Sequence, residues 1–390
     1  MRVLVASDFE PGSHRAHAIN VVKTAGGFAR LGHDVTVLCR GSGISNVRDG
    51  VCAYAEPQLE WECVPFDMAE SDVERERTFA RATAEKAHRF DFVYARHFFA
   101  ALATSRLGIE TALETHAYVG DPNPLLQRAI EASRSDLARI VTISEVLRTH
   151  YVERGGDPTR IVVVPDGVDV ARFRHPHDAG QCPFSRRFEW HVLYAGHLYD
   201  YKGIPTVLSA ATKLPNVGFE IVGGSPEDID RVRVAARSSD NVTVHGLVPH
   251  DRVPQWLWHA DTLLLPPSAT EPSARWTSPV KLGEYLASTK PIVASSIPGL
   301  RAWVAGDVVT WFRPDDPGDM ARAIVRALGE DAEWGNERRR RALQLAESFD
   351  YRHRARKILA SSGQLHDSSS CQPCSPIRGT KTTLPSPSLR

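Results

Sequence analysis

Several residues in this chain stand where they could handle a phosphorylated ligand. Ser278-Pro279-Val280-Lys281-Leu282-Gly283-Glu284-Tyr285-Leu286-Ala287 reads as the opening of a helix. Ser278 can accept a free backbone N–H, and Pro279 fits the first helical position, where its missing N–H costs nothing. Leu282, Tyr285 and Leu286 fall on one apolar face. Free N–H groups and the macrodipole at such an end favour an anion, so a phosphate is expected there, with Glu284 holding whatever is attached to it. A capped surface helix with a solvated Glu284 is the plain alternative. Other candidates follow strand-like runs: Gly196-His197 with Lys202, Gly223-Gly224, Leu247-Val248, and His116-Ala117-Tyr118. Each also has an ordinary reading, Lys202 as a surface charge and His116 as a simple hydrogen-bonding partner.

These residues need elements to position them. Strand-like and helix-like segments alternate along the chain, the pattern of an α/β protein with parallel sheets. In the first half the strand candidates are Arg2–Ala6, Asp34–Leu38, Phe92–Ala95, Ala112–Thr115, Ile140–Ile143 and Ile161–Val164. Helices are expected at His14–Leu31, with Gly26-Gly27 suggesting a close backbone approach, and at Ser71–Phe90, opened by a Ser71/Glu74 capping box. Periodicity fails from Arg172 to Glu189, which reads as a linker. The alternation restarts at Val192–Ala195 and continues through Phe219–Val222, Val242–His245, Leu263–Leu265, Ile292–Ala294 and Val308–Phe312. Asp316-Pro317 opens a helix to about Leu328, and Arg338 to Leu359 reads as mostly helical. The expectation is two Rossmann-like, doubly wound domains facing across a cleft: 1–172, a linker at 173–190, 191–345, a helix at 346–360 crossing back, and a disordered tail at 361–390. Ligands of such sheets sit beyond the carboxyl ends of the strands, where the candidate loops fall.

Composition excludes several classes. Lys plus Arg equals Asp plus Glu at 47 each, so no global charge points to nucleic acid. The opening apolar run is too short for a secretory signal, and no run suits a membrane span. Six cysteines in a chain this long do not form a disulfide framework, which favours the cytoplasm, with its inner membrane face as the alternative; Cys371 and Cys374 stand alone in a Ser/Pro-rich stretch. The basic run Arg338-Arg339-Arg340-Arg341 fits either peripheral contact with an anionic membrane or a solvated face. A dinucleotide fingerprint is missing after the first strand, as are a phosphate loop, a zinc-protease helix and a hydrolase elbow.

Taken together, the chain resembles a retaining glycosyltransferase of GT-B architecture, in glycosyltransferase family 4 (glycosyl transferases group 1). The resemblance runs from Met1 to about Leu359. It is carried by Phe28-Ala29-Arg30-Leu31-Gly32-His33-Asp34-Val35, Val141-Thr142-Ile143-Ser144, Val164-Pro165-Asp166-Gly167-Val168-Asp169, Tyr194-Ala195-Gly196 with Lys202-Gly203, Ile221-Val222-Gly223, and Ser278–Ala287 followed by Lys290-Pro291-Ile292-Val293-Ala294. It implies metal-independent transfer of a sugar from a UDP-, GDP- or ADP-sugar to an acceptor hydroxyl, with retention, in glycan, polysaccharide or glycolipid synthesis. Lys202 matches the lysine facing the diphosphate, Glu284 the acid that binds the ribose, and His116 the histidine near the reacting sugar. Gly196, Gly223, Gly224, Leu247, Val248 and Ser278 to Leu282, Lys281 included, match the donor lining. The acceptor, a carbohydrate or lipid-linked molecule, is expected on the first domain around Gly12, His14, Arg15, His97 and Tyr118.

Two positions depart from the family pattern. Trp276 stands where the family has an acid eight residues before Glu284, and Glu271 lies five residues further upstream. His197 stands where an arginine usually pairs with the lysine on the diphosphate, and it joins Lys202 and His116 as a catalytic candidate. A non-catalytic sugar-nucleotide-binding protein and, more distantly, a nucleotide-sugar epimerase are the alternatives.

Overall fold

The computed structural model describes residues 1–11, 13, 16–41, 58–65, 70–118, 124–135, 139–278, 280–304 and 307–360. The expected site residues Gly12, His14, Arg15 and Pro279, together with Cys371, Cys374 and the tail, lie outside them.

Two parallel sheets dominate. The first consists of β1 (Arg2–Ala6), β2 (Asp34–Arg40), β3 (Glu60–Val64), β4 (Phe92–Ala95), β5 (Thr111–Glu114), β6 (Arg139–Thr142) and β7 (Ile161–Val163), in the order β3-β2-β1-β4-β5-β6-β7. The second consists of β8 (Trp190–Ala195), β9 (Val217–Val222), β10 (Val242–Gly246), β11 (Thr262–Leu265), β12 (Ile292–Ser295) and β13 (Thr310–Phe312), in the order β10-β9-β8-β11-β12-β13. Central strands such as Val3-Leu4-Val5-Ala6 are wholly buried, because helices cover both faces of a parallel sheet and each side chain needs an apolar neighbour. The strand not anticipated, β3, is an edge whose Glu-Trp-Glu-Cys alternation leaves it half exposed.

The first lobe's helices are α1 (Ala16–Arg30), α2 (Asp72–Ala87), α3 (Phe98–Ser105), α4 (Pro124–Ala132) and α5 (Glu145–Glu153); α6 (Val170–Phe173) follows, its Val170 and Phe173 buried in the second lobe's core. The second lobe carries α7 (Ile204–Ala211), α8 (Pro226–Ala235), α9 (Val253–His259), α10 (Val280–Ser288), α11 (Pro298–Arg301), α12 (Pro317–Leu328) and α13 (Ala332–Ser348), and α14 (Tyr351–Leu359) follows. The capping box of α2 forms as read, the Ser71 side chain taking the Glu74 N–H while Glu74 accepts from the Ser71 N–H. Asp316 caps α12 by accepting from Asp319 N–H.

The stretch expected to be mostly helical up to Leu359 is two helices. At the break Val168 N–H donates to Phe349 O at 3.0 Å, and Val168 bridges Asp350. There the chain leaves the second lobe, and α14 lies along α1. Gly27 makes that approach possible, since a Cβ would sit 2.3 Å from the Tyr351 carbonyl oxygen. The close approach suggested by Gly26-Gly27 therefore has a partner, the final helix.

Candidate functional site

The glycine loops of the second lobe lie at the carboxyl ends of adjacent strands. Gly196 N–H donates to Val222 O at 2.8 Å and Gly223 N–H to Gly246 O at 2.7 Å, which draws the ends of β8, β9 and β10 together. Tyr285, fully buried on α10, accepts Ala195 N–H at 3.1 Å and fastens the same corner to that helix. Leu282 and Leu286 are buried beside it, so the apolar face of α10 is the one its spacing predicts.

Onto this corner the chain brings cations. Lys281 lies across Gly196 with its Nζ 3.3 Å from Tyr194 Oη and 4.7 Å from the centre of that ring. Gly196, at φ +147°, has no Cβ, and one would fall 1.6 Å from Lys281 Nζ. Only glycine leaves the amine room. Lys281 is half-buried, its amine lying between Gly196 and the Tyr194 ring. Burial first, and the charge of Lys202 second, push its pKa down to about 7, against a smaller upward pull from Glu284. Lys202 sits over the Tyr201 ring at 4.9 Å, and burial lowers its pKa too, opposed by Glu271. His197 stacks on Tyr199 at 5.3 Å. Its pKa is lowered by burial and then by Lys281 and Lys202. Three basic groups thus share one corner, an arrangement that an anion would relieve.

Glu284, buried on α10, pairs with Nε2 of His250 at 2.9 Å. Nothing in the sequence marks His250, which lies beyond β10 and 34 residues before its partner. Val248 packs against the core beside it, whereas Leu247 is 75% exposed. The Ser278 hydroxyl, expected to cap α10, accepts Asp166 N–H of the first lobe at 3.0 Å and so ties the lobes together.

The first lobe places His116 at the end of β5 within a polar cluster. Arg96 donates to His116 Nδ1 at 3.1 Å, so Nε2 carries the proton and donates to Glu114 Oε1 at 3.0 Å. Glu114 is buried and also receives Tyr94 Oη and Arg354 of α14. Burial alone would raise its carboxyl, but Arg354, the His116 hydrogen bond and Arg96 together hold it well below the usual range. Asp166 accepts from Asn20 Nδ2 at 2.9 Å and lies 3.9 Å from His116 Nε2; burial raises its pKa. Asp169, from the same segment, pairs with buried Lys23 at 2.8 Å. Glu114 and Arg354 are 240 residues apart, and no local pattern links them.

Two of the acceptor-side residues have partners inside the fold. His97 is buried: its Nδ1 accepts Ala100 N–H at 3.1 Å to cap α3, and its Nε2 lies 2.8 Å from Glu76. Both nitrogens serve the lobe's interior, so His97 is a structural cap. Tyr118 stacks on His150 at 4.4 Å and on Trp276 at 4.2 Å, the ring planes within 8°. Trp276, the residue in place of the family acid, thus reaches across and packs on the first lobe's core.

Carboxylates and imidazoles gather at Glu114-His116-Asp166 and at Asp8-Glu76-His97. Glu114 already binds a guanidinium, and His116 spends its free lone pair on Arg96. His97 spends its own on Ala100. A cavity of about 510 Å³ lined by Trp190, Asp261, Lys290 and Arg339 lies at the amino ends of the second sheet's strands, away from this corner.

Comparison with known proteins agrees with this geometry. Residues 189–330 match the family described as glycosyl transferases group 1, and residues 18–167 match the glycosyl transferase 4-like domain. D-inositol 3-phosphate glycosyltransferase of Mycolicibacterium smegmatis is 27% identical over 391 residues, covering 90% of this chain and 87% of that protein. In fold, the chain is similar to Anabaena HepE in complex with UDP and glucose, with a TM-score of 0.70 at 16% identity over 92% of this chain and 98% of that one. It is likewise similar to sucrose-phosphate synthase of Thermosynechococcus elongatus, with a TM-score of 0.71 at 17% identity over 92% and 97%. With one family covering the first lobe and the other the second, the chain belongs to the group 1 glycosyltransferases, enzymes of GT-B architecture that use a nucleotide sugar.

Proposed function

We propose that this enzyme moves a sugar from a nucleotide diphosphate sugar to an acceptor hydroxyl with retention of configuration and without a metal. In this reading residues 191–345 hold the donor and residues 1–172 the acceptor. The observation that carries it is the convergence of Lys281, Lys202 and His197 on the Gly196 corner, with buried Glu284 on the adjoining helix. As the leaving group departs, negative charge accumulates on the β-phosphate. Cations fixed beforehand stabilise that charge most in the transition state. The first turn of α10 adds backbone N–H groups. Glu284 accepts from the ribose hydroxyls once His250 yields or shares it. His116 contacts the reacting sugar, its ring held by Arg96 and Glu114, and the diphosphate itself takes the proton of the incoming hydroxyl on the same face.

A UDP-sugar is the first donor to test, since the similar HepE structure holds UDP and glucose. A phosphorylated or lipid-linked acceptor suits the Arg96 and His116 rim, and a cytoplasmic location suits the donor. Thermal shifts with nucleoside diphosphates and their sugars identify the donor; about 2.7 kcal/mol of stabilisation is expected at a hundredfold excess over Kd. Release of nucleoside diphosphate then reports transfer. Lys202→Ala and Glu284→Ala should abolish release without changing the fold. Unimpaired release in both variants would place the chemistry elsewhere.

A further inference from the structure

Three cysteines fall among the described residues, and two of them face each other in the first sheet. Cys39 on β2 is the register partner of Cys63 on the parallel strand β3. Their Sγ atoms lie 3.6 Å apart. Cys39 is wholly buried and its thiol also reaches Glu62 O at 3.7 Å, whereas Cys63 is half-buried. Cys182 differs: its thiol turns to Phe184 O at 3.3 Å, two residues along the chain.

The surroundings of the pair decide what two such thiols can do. A metal would need further ligands, and the carboxylate and imidazole clusters among the described residues include neither cysteine. Register partners on neighbouring strands stand about 4.8 Å apart, inside the Cα separation that a disulfide tolerates. Both side chains pack on the same face of the sheet, so side-chain rotation brings the sulfurs to bonding distance. Among the described residues β3 pairs with β2 alone, which leaves Cys63 as the thiol that solvent reaches, with Cys39 behind it. Gly41 packs between Cys63 and Pro11: a Cβ there would lie 3.7 Å from the Cys63 sulfur and 3.3 Å from Pro11 Cδ. The thiols therefore sit at the root of the loop after β1, whose Phe9 carbonyl accepts Arg40 N–H at 3.1 Å.

We propose that Cys39 and Cys63 form a site of reversible oxidation, closed to a disulfide by a peroxide and reopened by a dithiol. The Cys63 thiolate attacks one peroxide oxygen and the O–O bond breaks, leaving a sulfenic acid; the departing hydroxide takes up the proton that Cys63 gave away. The Cys39 sulfur then attacks that of Cys63, the S–O bond breaks, and the released hydroxide takes the Cys39 proton. Two thiols lose two electrons in all, and one peroxide becomes two waters. A dithiol reverses the bond by exchange through a mixed disulfide at Cys63, the accessible sulfur. Where glutathione keeps thiols reduced, such a bond forms only under oxidant, which suits a sensing site more than a permanent staple. Closed, it fastens β3 to β2 beside Pro11. The proposal does not depend on the glycosyl-transfer reading, because no donor-site residue takes part.

The test exposes the folded full chain to hydrogen peroxide, alkylates the remaining thiols in denaturant, and maps the tryptic peptides by mass. Residues 31–40 carry Cys39, and residues 49–75 carry Cys63 with Cys52, so Cys52→Ser leaves one thiol in the second peptide. These two peptides should emerge linked, part with dithiothreitol, and stay separate in Cys63→Ser. In Cys39→Ala the Cys63 sulfur should stop at the sulfenic acid and be trapped by dimedone, which thiols in mere packing contact would not do. Circular dichroism checks that each variant is folded, and the Cys52→Ser map decides alone if Cys39→Ala is not. Deuterium exchange at Glu60–Val64 should slow roughly tenfold in the oxidised chain and recover on reduction. Alkylated Cys39 and Cys63 after peroxide, in the parent and in Cys52→Ser alike, overturn the proposal. So does a disulfide confined to Cys371 and Cys374.

Discussion

Lys281 offers the sharpest test of the donor site. Its amine is held at about 7, against an ordinary value near 10.5, chiefly by burial and secondarily by Lys202. At 1.36 kcal/mol per tenfold, the charged form carries up to about 5 kcal/mol of unfavourable interaction in the free enzyme. A diphosphate beside Gly196 supplies the missing counter-charge, so donor binding should raise the pKa and take up a proton. The sign follows from linkage. Affinity is fullest below the free-enzyme value of about 7 and weakens as pH climbs from there toward the bound value. Between about pH 6.5 and pH 8.5 the charged fraction of the free amine drops steeply, so Kd should rise roughly 25-fold if the bound value lies above that range. The assay is calorimetry with a fluorinated, non-transferable nucleotide sugar, whose diphosphate charge is constant over the range, in buffers of different ionisation enthalpy. About half a proton should be taken up near pH 7 and close to one near pH 8. Lys281→Met should bind more weakly at low pH and lose this limb. A flat Kd in the parent enzyme, or the same slope in Lys281→Met, would refute the assignment of Lys281 to the diphosphate.

Three further outcomes are expected. His197 is held below its ordinary pKa by burial and the two lysines. A bound diphosphate should raise it, adding an activity limb that falls with rising pH; His197→Arg should flatten that limb, and an unchanged kcat/KM profile would count against a diphosphate role. Arg354→Met strips a buried guanidinium from buried Glu114 and should lower stability by about 3–5 kcal/mol in urea unfolding at neutral pH. Adding Glu114→Gln should return much of that loss, and a double variant no more stable than Arg354→Met would contradict the uncompensated-charge explanation. Trp276→Ala removes the stack on Tyr118 and its packing on the first lobe, worth about 2 kcal/mol together. Proteolysis between Phe173 and Trp190 should accelerate, and no change would mean that the stack does not hold the lobes together.

What could be read in the sequence, and what could not, divides along the distance over which a residue's surroundings are set. Parallel strands buried on both faces announce themselves as short apolar runs, so twelve of the thirteen were marked within a few residues. Edge strand β3 has no such run. The caps at Ser71 and Asp316 depend on neighbours three residues away and were legible for that reason. The loops carrying Gly196, Gly223 and Lys202 were legible as post-strand positions. Their charges were not, because the state of Lys281 depends on Tyr194 above it and on a glycine 85 residues earlier. His97 figures only among the first-domain residues around which the acceptor is expected. The structure spends both of its nitrogens within its own lobe.

The same distinction reverses the reading of the arginines. Four in a row at 338–341 are conspicuous in sequence, but helical spacing places acids within reach of them and Asp307 arrives from a loop, so their field is spent locally. The field of a charged run depends on the tertiary neighbours that folding brings to it rather than on its density along the chain, and that is not written in the run itself.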